Sequence, residues 1–218
     1  MIFEILLECD DWVVINKPVG AEMHSQSDSA GLVVLLERQL KQSLWPIHRL
    51  DKVTSGCLLL AKNASAARQL SEQFAQRTIN KIYMAIARGK PKKKKGWIKG
   101  DMIKSRNGCW KLTRTTTNAA VTYFESQAMT KEYQSDDVTR TMSGFRLYTL
   151  QPKTGKTHQL RVAMKSIGVP ILGDLRYGGE PANRVYLHAS ELTFNWHDQP
   201  ITVLAPNPFT GYLIANTR

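Results

Sequence analysis

The chain has 218 residues, 42% of them hydrophobic, so it can bury roughly 70% of its unfolded surface without disulfide or metal staples. Lys and Arg total 30 against 18 Asp and Glu, and the resulting net charge of +12 bears on partners rather than on fold: it attracts polyanions such as RNA, DNA or an anionic membrane surface. Three widely spaced cysteines, Cys9, Cys57 and Cys109, argue against a disulfide framework and a zinc ribbon and for small buried thiols in a reducing compartment.

The opening segment "MIFEILLECDD" has no basic start and is interrupted by Glu4 and Glu8, so it does not read as a secretory signal. No apolar run reaches the length of a membrane span, and a cytoplasmic protein is expected. "WVVIN", Trp12 to Asn16, reads as a buried strand closed by Pro18 and Gly20. Leu32, Leu35, Leu36 and Leu40 recur at helical spacing and predict an amphipathic helix over 31–42. Cys57 to Ala61 is a continuous apolar run and predicts a strand that enters the core. Asn63 is a suitable N-cap for a following helix with Ala67, Leu70 and Phe74 on its apolar face.

"KIYMAIAR" alternates, with Ile82, Met84 and Ile86 on one face and Tyr83, Ala85 and Ala87 on the other. "GKPKKKK", Gly89 to Lys95, is a charge run expected at a hairpin or loop tip. Strand-like pieces begin at Ala120, Gly144 and Tyr186, and 157–166 carries Leu160, Ala163 and Met164 at helical spacing. Strands and helices mix without a regular βαβ alternation. The expected class is therefore α+β, with a mixed, largely antiparallel sheet and flanking helices in one domain over 1–218.

Two candidate motifs fail on chemistry. "TGKT" at Thr154 to Thr157 resembles the end of a phosphate-binding loop. The glycine that loop requires five positions before Gly155 is Leu150, so the backbone could not wrap phosphates there. The five histidines, His24, His48, His158, His188 and His197, show no metal-ligand spacing.

The informative stretch is "WPIHRLDKVTSGCLLLAKN", Trp45 to Asn63, which sets His48, Arg49 and Asp51 just before the greasy run. A carboxylate at the rim of a buried strand is costly unless paired, and pairing with a guanidinium keeps it ionised. On the segment alone a structural salt bridge explains this as well as catalysis does. The stretch resembles the HRLDxxTSGxxxxAK signature of the RluA family of RNA pseudouridine synthases and matches it throughout, including Ala61 and Lys62. "DDWVVINKPVGAEMHS", "KIYMAIARG", "GKTHQLRVAMKSIGVPILGDLRYGG" and "VYLHASELTF" resemble further motifs of that family, in order and over nearly the whole chain. Lys156 stands where many members have arginine, and Ala163 where histidine is common.

The resemblance implies a pseudouridine-synthase-like catalytic domain, here without the S4 domain that many members carry. It implies isomerisation of uridine in rRNA or tRNA, in a structured element such as a stem-loop, by a monomer, with no cofactor and no metal. Asp51 matches the catalytic aspartate, Arg161 the arginine that pairs with it, and Tyr83 the tyrosine that packs on the target uracil. Arg49 matches the arginine that helps displace the target base, and His48 stands beside it as a second RNA contact. Two other readings remain at this point. One is an RNA-binding or remodelling protein without catalysis, which the net charge fits equally. The other is a carboxylate glycosidase, which needs a second acid such as Asp174.

Overall fold

The structure is a computed structural model that describes residues 2–25, 30–129 and 144–209. The chain divides into two compact units. One comprises Met1–Lys81 with His188–Pro206, the other Ile82–Leu187 with Asn207–Arg218.

In the first unit β1 (Glu4–Glu8) and β2 (Trp12–Lys17) form an antiparallel pair, and β2 pairs antiparallel with β4 (Ser55–Ala61). Two strands share the other edge of β4. The short β3 (Trp45–Pro46) is antiparallel to its end, while β11 (Leu187–Trp196) runs parallel to its beginning at Ser55 and Gly56. β12 (Gln199–Leu204) completes the hairpin after β11. Every residue of β4 is buried, as a run without alternation demands of a strand covered on both faces.

The core of this unit gathers Trp12, Val14, Leu59, Leu70, Ile79 and Phe194. Trp12 and Phe194 meet edge to face at 5.1 Å, the arrangement their ring quadrupoles favour. Helix α1 (Leu32–Leu40) buries Leu32 and Leu36. Helix α2 (Ala64–Gln76) starts as its sequence indicates: the Asn63 side chain accepts from the Ala66 amide at 2.9 Å. Its inner residues are Ala66 and Leu70, with Ala67 and Phe74 at the margin. Cys57 behaves as a small hydrophobe, and burial pushes its thiol up to about 11.

The second unit is built on the antiparallel order β5 (Asn80–Arg88), β10 (Phe145–Pro152), β9 (Ala120–Ala128), β6 (Lys95–Gly100). The lysine run therefore does not close a hairpin. β5 and β6 are consecutive in the chain but separated by two strands, because the partner of β5 arrives more than fifty residues later. A small hairpin of β7 (Met102–Lys104) and β8 (Trp110–Leu112) follows β6 and has no counterpart among the elements predicted from sequence. Helix α3 (Gln159–Ser166) lies inside the predicted 157–166.

Gly56 is required where it stands. Its φ is +106°, and a Cβ there would lie 2.1 Å from the Ala189 carbonyl oxygen of β11. Gly56→Ala is expected to destabilise the protein by about 2 kcal/mol or more. Urea denaturation measures this, and an unchanged midpoint would contradict the close approach of β11.

Candidate active site

Asp51 sits on a tight turn. The Thr54 amide donates to the Asp51 carbonyl at 3.0 Å, closing the four residues Asp51 to Thr54. Leu50 before the turn and Thr54 after it are buried, while Asp51 itself is half-buried and Arg49 exposed. The apolar neighbours thus anchor a short polar loop at both ends.

The loop is also held from behind. Lys17, at the end of β2, is fully buried, and its ammonium donates to the carbonyls of Thr54 at 2.8 Å, Pro18 at 3.1 Å and Lys52 at 3.3 Å. The Gly20 amide donates to the same Lys52 carbonyl at 2.8 Å. Carbonyl oxygens converging on an ammonium compensate the cost of burying that charge and make the loop conformation conditional on it. Sequence reasoning missed Lys17. The signal available was the placement of a lysine directly after a buried strand and before Pro18.

His48 faces inward. Its Nε2 accepts from the Leu59 amide of β4 at 3.0 Å, and its ring stacks on Phe74 of α2 at 4.7 Å. Burial, with Lys81 nearby adding repulsion, holds the imidazole down to about 3. The ring is therefore neutral at pH 7 and ties the Arg49–Asp51 segment to the sheet.

In the second unit, Tyr83 lies on β5 with 9% of its surface exposed, on the face opposite Ile82, Met84 and Ile86. Tyr83 stands opposite Leu150, and Leu150 opposite Phe124, so all three share one face of the sheet. Helix α3 rests on that same face. Gln159 at its start donates to the Val121 carbonyl and to the Thr122 hydroxyl, and accepts from Thr154.

Arg161 follows on α3 and is buried. Its Nε and Nη2 donate to the two carboxylate oxygens of Asp174, each at 2.7 Å. This bidentate fork uses two of the guanidinium's five N–H groups and fixes its plane. The fully buried Tyr177 lies beneath, with its ring 4.9 Å from Arg161 and 5.9 Å from Lys165. The Tyr177 hydroxyl accepts from the Trp110 amide and shares a 2.8 Å hydrogen bond with Nδ1 of His158. His158 takes a left-handed conformation, φ 57°, at the start of α3. Asp174, weighed from sequence as a second acid, is thus a buried partner of Arg161, a placement unsuited to a glycosidase acid.

Residues 11–166 match the family model described as RNA pseudouridylate synthase. This chain belongs to that family, in its RluA-type branch. An RNA pseudouridine synthase of Haemophilus influenzae, named as uncharacterized, is 45% identical over 93% of this chain and 87% of its own. The "tRNA pseudouridine synthase C" of Haemophilus ducreyi is 35% identical over 89% of this chain and 86% of its own. The solved structure of human RNA pseudouridylate synthase domain containing 1 superposes with a TM-score of 0.78 at 25% identity, covering 98% of this chain and 89% of that one. The chain is an RNA pseudouridine synthase, and the α+β class with a mostly antiparallel sheet agrees with these neighbours.

Two outcomes are expected of this geometry. Asp174→Ala leaves the buried Arg161 charge without its fork and should cost about 3–5 kcal/mol of stability, with Asp174→Asn costing less. Chemical denaturation decides, and a neutral Asp174→Ala would contradict the buried pair. The second concerns pH. Because the His48 pKa is lowered on folding, its contribution is complete above about 6.5 and is lost as pH falls toward about 3. The urea midpoint of the wild type should therefore fall more steeply on acidification than that of His48→Gln, the difference reaching up to about 1.4 kcal/mol per pH unit. Parallel profiles would contradict a neutral, enclosed imidazole.

Proposed function

We propose that the chain isomerises uridine to pseudouridine in structured rRNA or tRNA, with Asp51 as the nucleophile or base. The reaction breaks the N1–C1′ bond, turns the uracil and joins C5 to C1′, so atoms and electrons balance without an external reactant. The carboxylate can open it by attacking C1′, forming an Asp51–C1′ ester as uracil leaves with the N1–C1′ electron pair, or by taking a proton from C2′ as uracil leaves, which gives a glycal. Both routes begin from an ionised Asp51.

The observation that carries this reading is the built setting of the Asp51 turn within the matched signature: a half-buried carboxylate anchored by Leu50 and Thr54 and clasped from behind by Lys17. A protein that only bound RNA would not need that setting. Arg161 is assigned the counter-charge role and Tyr83 the packing against the uracil ring. Arg49, exposed on the same segment as Asp51, is assigned displacement of the target base. Flipping costs a few kcal/mol, which stacking on an aromatic ring offsets by about 1–3 kcal/mol. The choice of rRNA or tRNA follows the names of relatives, which include tRNA pseudouridine synthase C and ribosomal large subunit pseudouridine synthase C. His48 contributes by holding the segment in place, and the net charge of +12 supplies general attraction to phosphates.

Asp51→Asn preserves shape and removes the charge. It should abolish tritium release from labelled RNA while leaving RNA affinity within about threefold of wild type, a small change beside the loss of a nucleophile. Measurable turnover by this variant would overturn the assignment.

A further inference from the structure

The sheet of the second unit has an outward face that the catalytic assignments leave unused. Along β6, Lys95, Trp97 and Lys99 are exposed, alternating with the inward Ile98 and Gly100. The register sets Trp97 opposite Tyr123, and Tyr123 opposite Gln151, in one row across β6, β9 and β10. The two rings are 5.1 Å apart, and Trp97 keeps 54% of its surface in solvent. The next row along the strands begins with Lys99, opposite Val121, whose carbonyl accepts from the Lys153 amide. The Lys99 ammonium lies 5.4 Å from the Trp97 ring centre. The row on the other side holds Lys95 opposite Glu125, and Glu125 accepts from the Tyr123 hydroxyl, which steadies that ring. Lys92, Lys93 and Lys94 lead directly into this strand and are exposed.

An exposed tryptophan beside a second aromatic, on an edge strand and bordered by lysines, is an unusual surface for a protein that has only to stay soluble. Every base offers a π face, and lysines beside such a ring attract the phosphates that follow it. A folded duplex presents no unstacked base, whereas single-stranded RNA does.

We propose that Trp97 and Tyr123 form a stacking platform for an unpaired base of the RNA, with Lys95, Lys99 and Lys153 gripping the adjoining backbone. This rests on the reading that the substrate is RNA and adds a contact, apart from the assigned catalytic residues, that selects substrates with unpaired nucleotides. The platform explains why the lysine run is joined to β6 in particular: charge and stacking are delivered to one strand.

The test uses the full chain, a fluorescein-labelled oligouridylate as the single-stranded probe, and a blunt RNA duplex of the same length as the comparison, both read by fluorescence anisotropy. Trp97→Ala should weaken oligouridylate binding about tenfold and leave duplex binding unchanged. Trp97→Phe should retain most of the affinity, since the ring remains. Lys99→Gln should lower the slope of log K against log salt by about 0.7 for the single strand. Pseudouridine formation in cellular RNA is scored in parallel. Unchanged oligouridylate binding by Trp97→Ala, or equal losses on single strand and duplex, overturns the platform even when turnover is normal. A wild-type chain that forms no pseudouridine overturns instead the functional reading on which the platform rests.

Discussion

The placement of Asp51 depends on a buried ammonium. Lys17 comes from β2, yet its Nζ donates to the carbonyls of Lys52 and Thr54, both within the turn that presents the carboxylate, and to that of Pro18 beside it in the chain. An ammonium removed from water must be solvated by the protein, and here the solvent is the backbone of the turn itself. The turn and the lysine therefore stabilise each other. If either moved, the buried Thr54 carbonyl would lose the ammonium that donates to it. A loop on a sheet rim acquires in this way a fixed backbone conformation.

The second unit solves a related problem with a different group. Arg161 is buried on a helix of only eight residues, and a cation there needs a partner of fixed geometry. Asp174 supplies it through two parallel bonds, and Tyr177 covers one face of the guanidinium while reaching His158 and the Trp110 amide through its hydroxyl. The helix, the "GD" turn and the small β7–β8 hairpin are thereby linked through one tyrosine. A lysine in place of Arg161 could not form this fork, because an ammonium is a point donor and the guanidinium is a plane.

The distribution of charge follows a division of labour. The histidine within the signature is kept neutral and used as an acceptor for the Leu59 amide, so the segment before Asp51 is fastened to the strand after it. Positive charge is concentrated elsewhere, in arginine at position 49 and in the lysines of 90–99, where it stays exposed and available to phosphate. Electrostatic attraction of this kind acts over roughly a Debye length and does not require fixed geometry, so surface lysines suit it.

The sequence by itself determined the family, the antiparallel α+β class, the buried β4 run, the Asn63 cap and the identity of Asp51, Tyr83, Arg161 and Arg49 as the residues to examine. Those are local properties. Apolar runs, periodicity, caps and contiguous motifs are written in neighbouring positions, and five collinear motifs are specific enough to name a fold. The tertiary structure alone decided the rest. That Lys17 serves the Asp51 turn joins positions far apart in the chain; that Asp174 holds Arg161 depends on the path of the loop between them. The lysine run lies in a loop, one of the two placements its charge allowed; that this loop does not close a hairpin was hidden because strand order depends on which distant segment fills the gap between β5 and β6. What no spacing records for His48 is its packing: the ring stacks on Phe74 and accepts from the Leu59 amide. Partner choice among buried polar groups is set by three-dimensional proximity in a medium of low dielectric, and linear spacing carries no record of it.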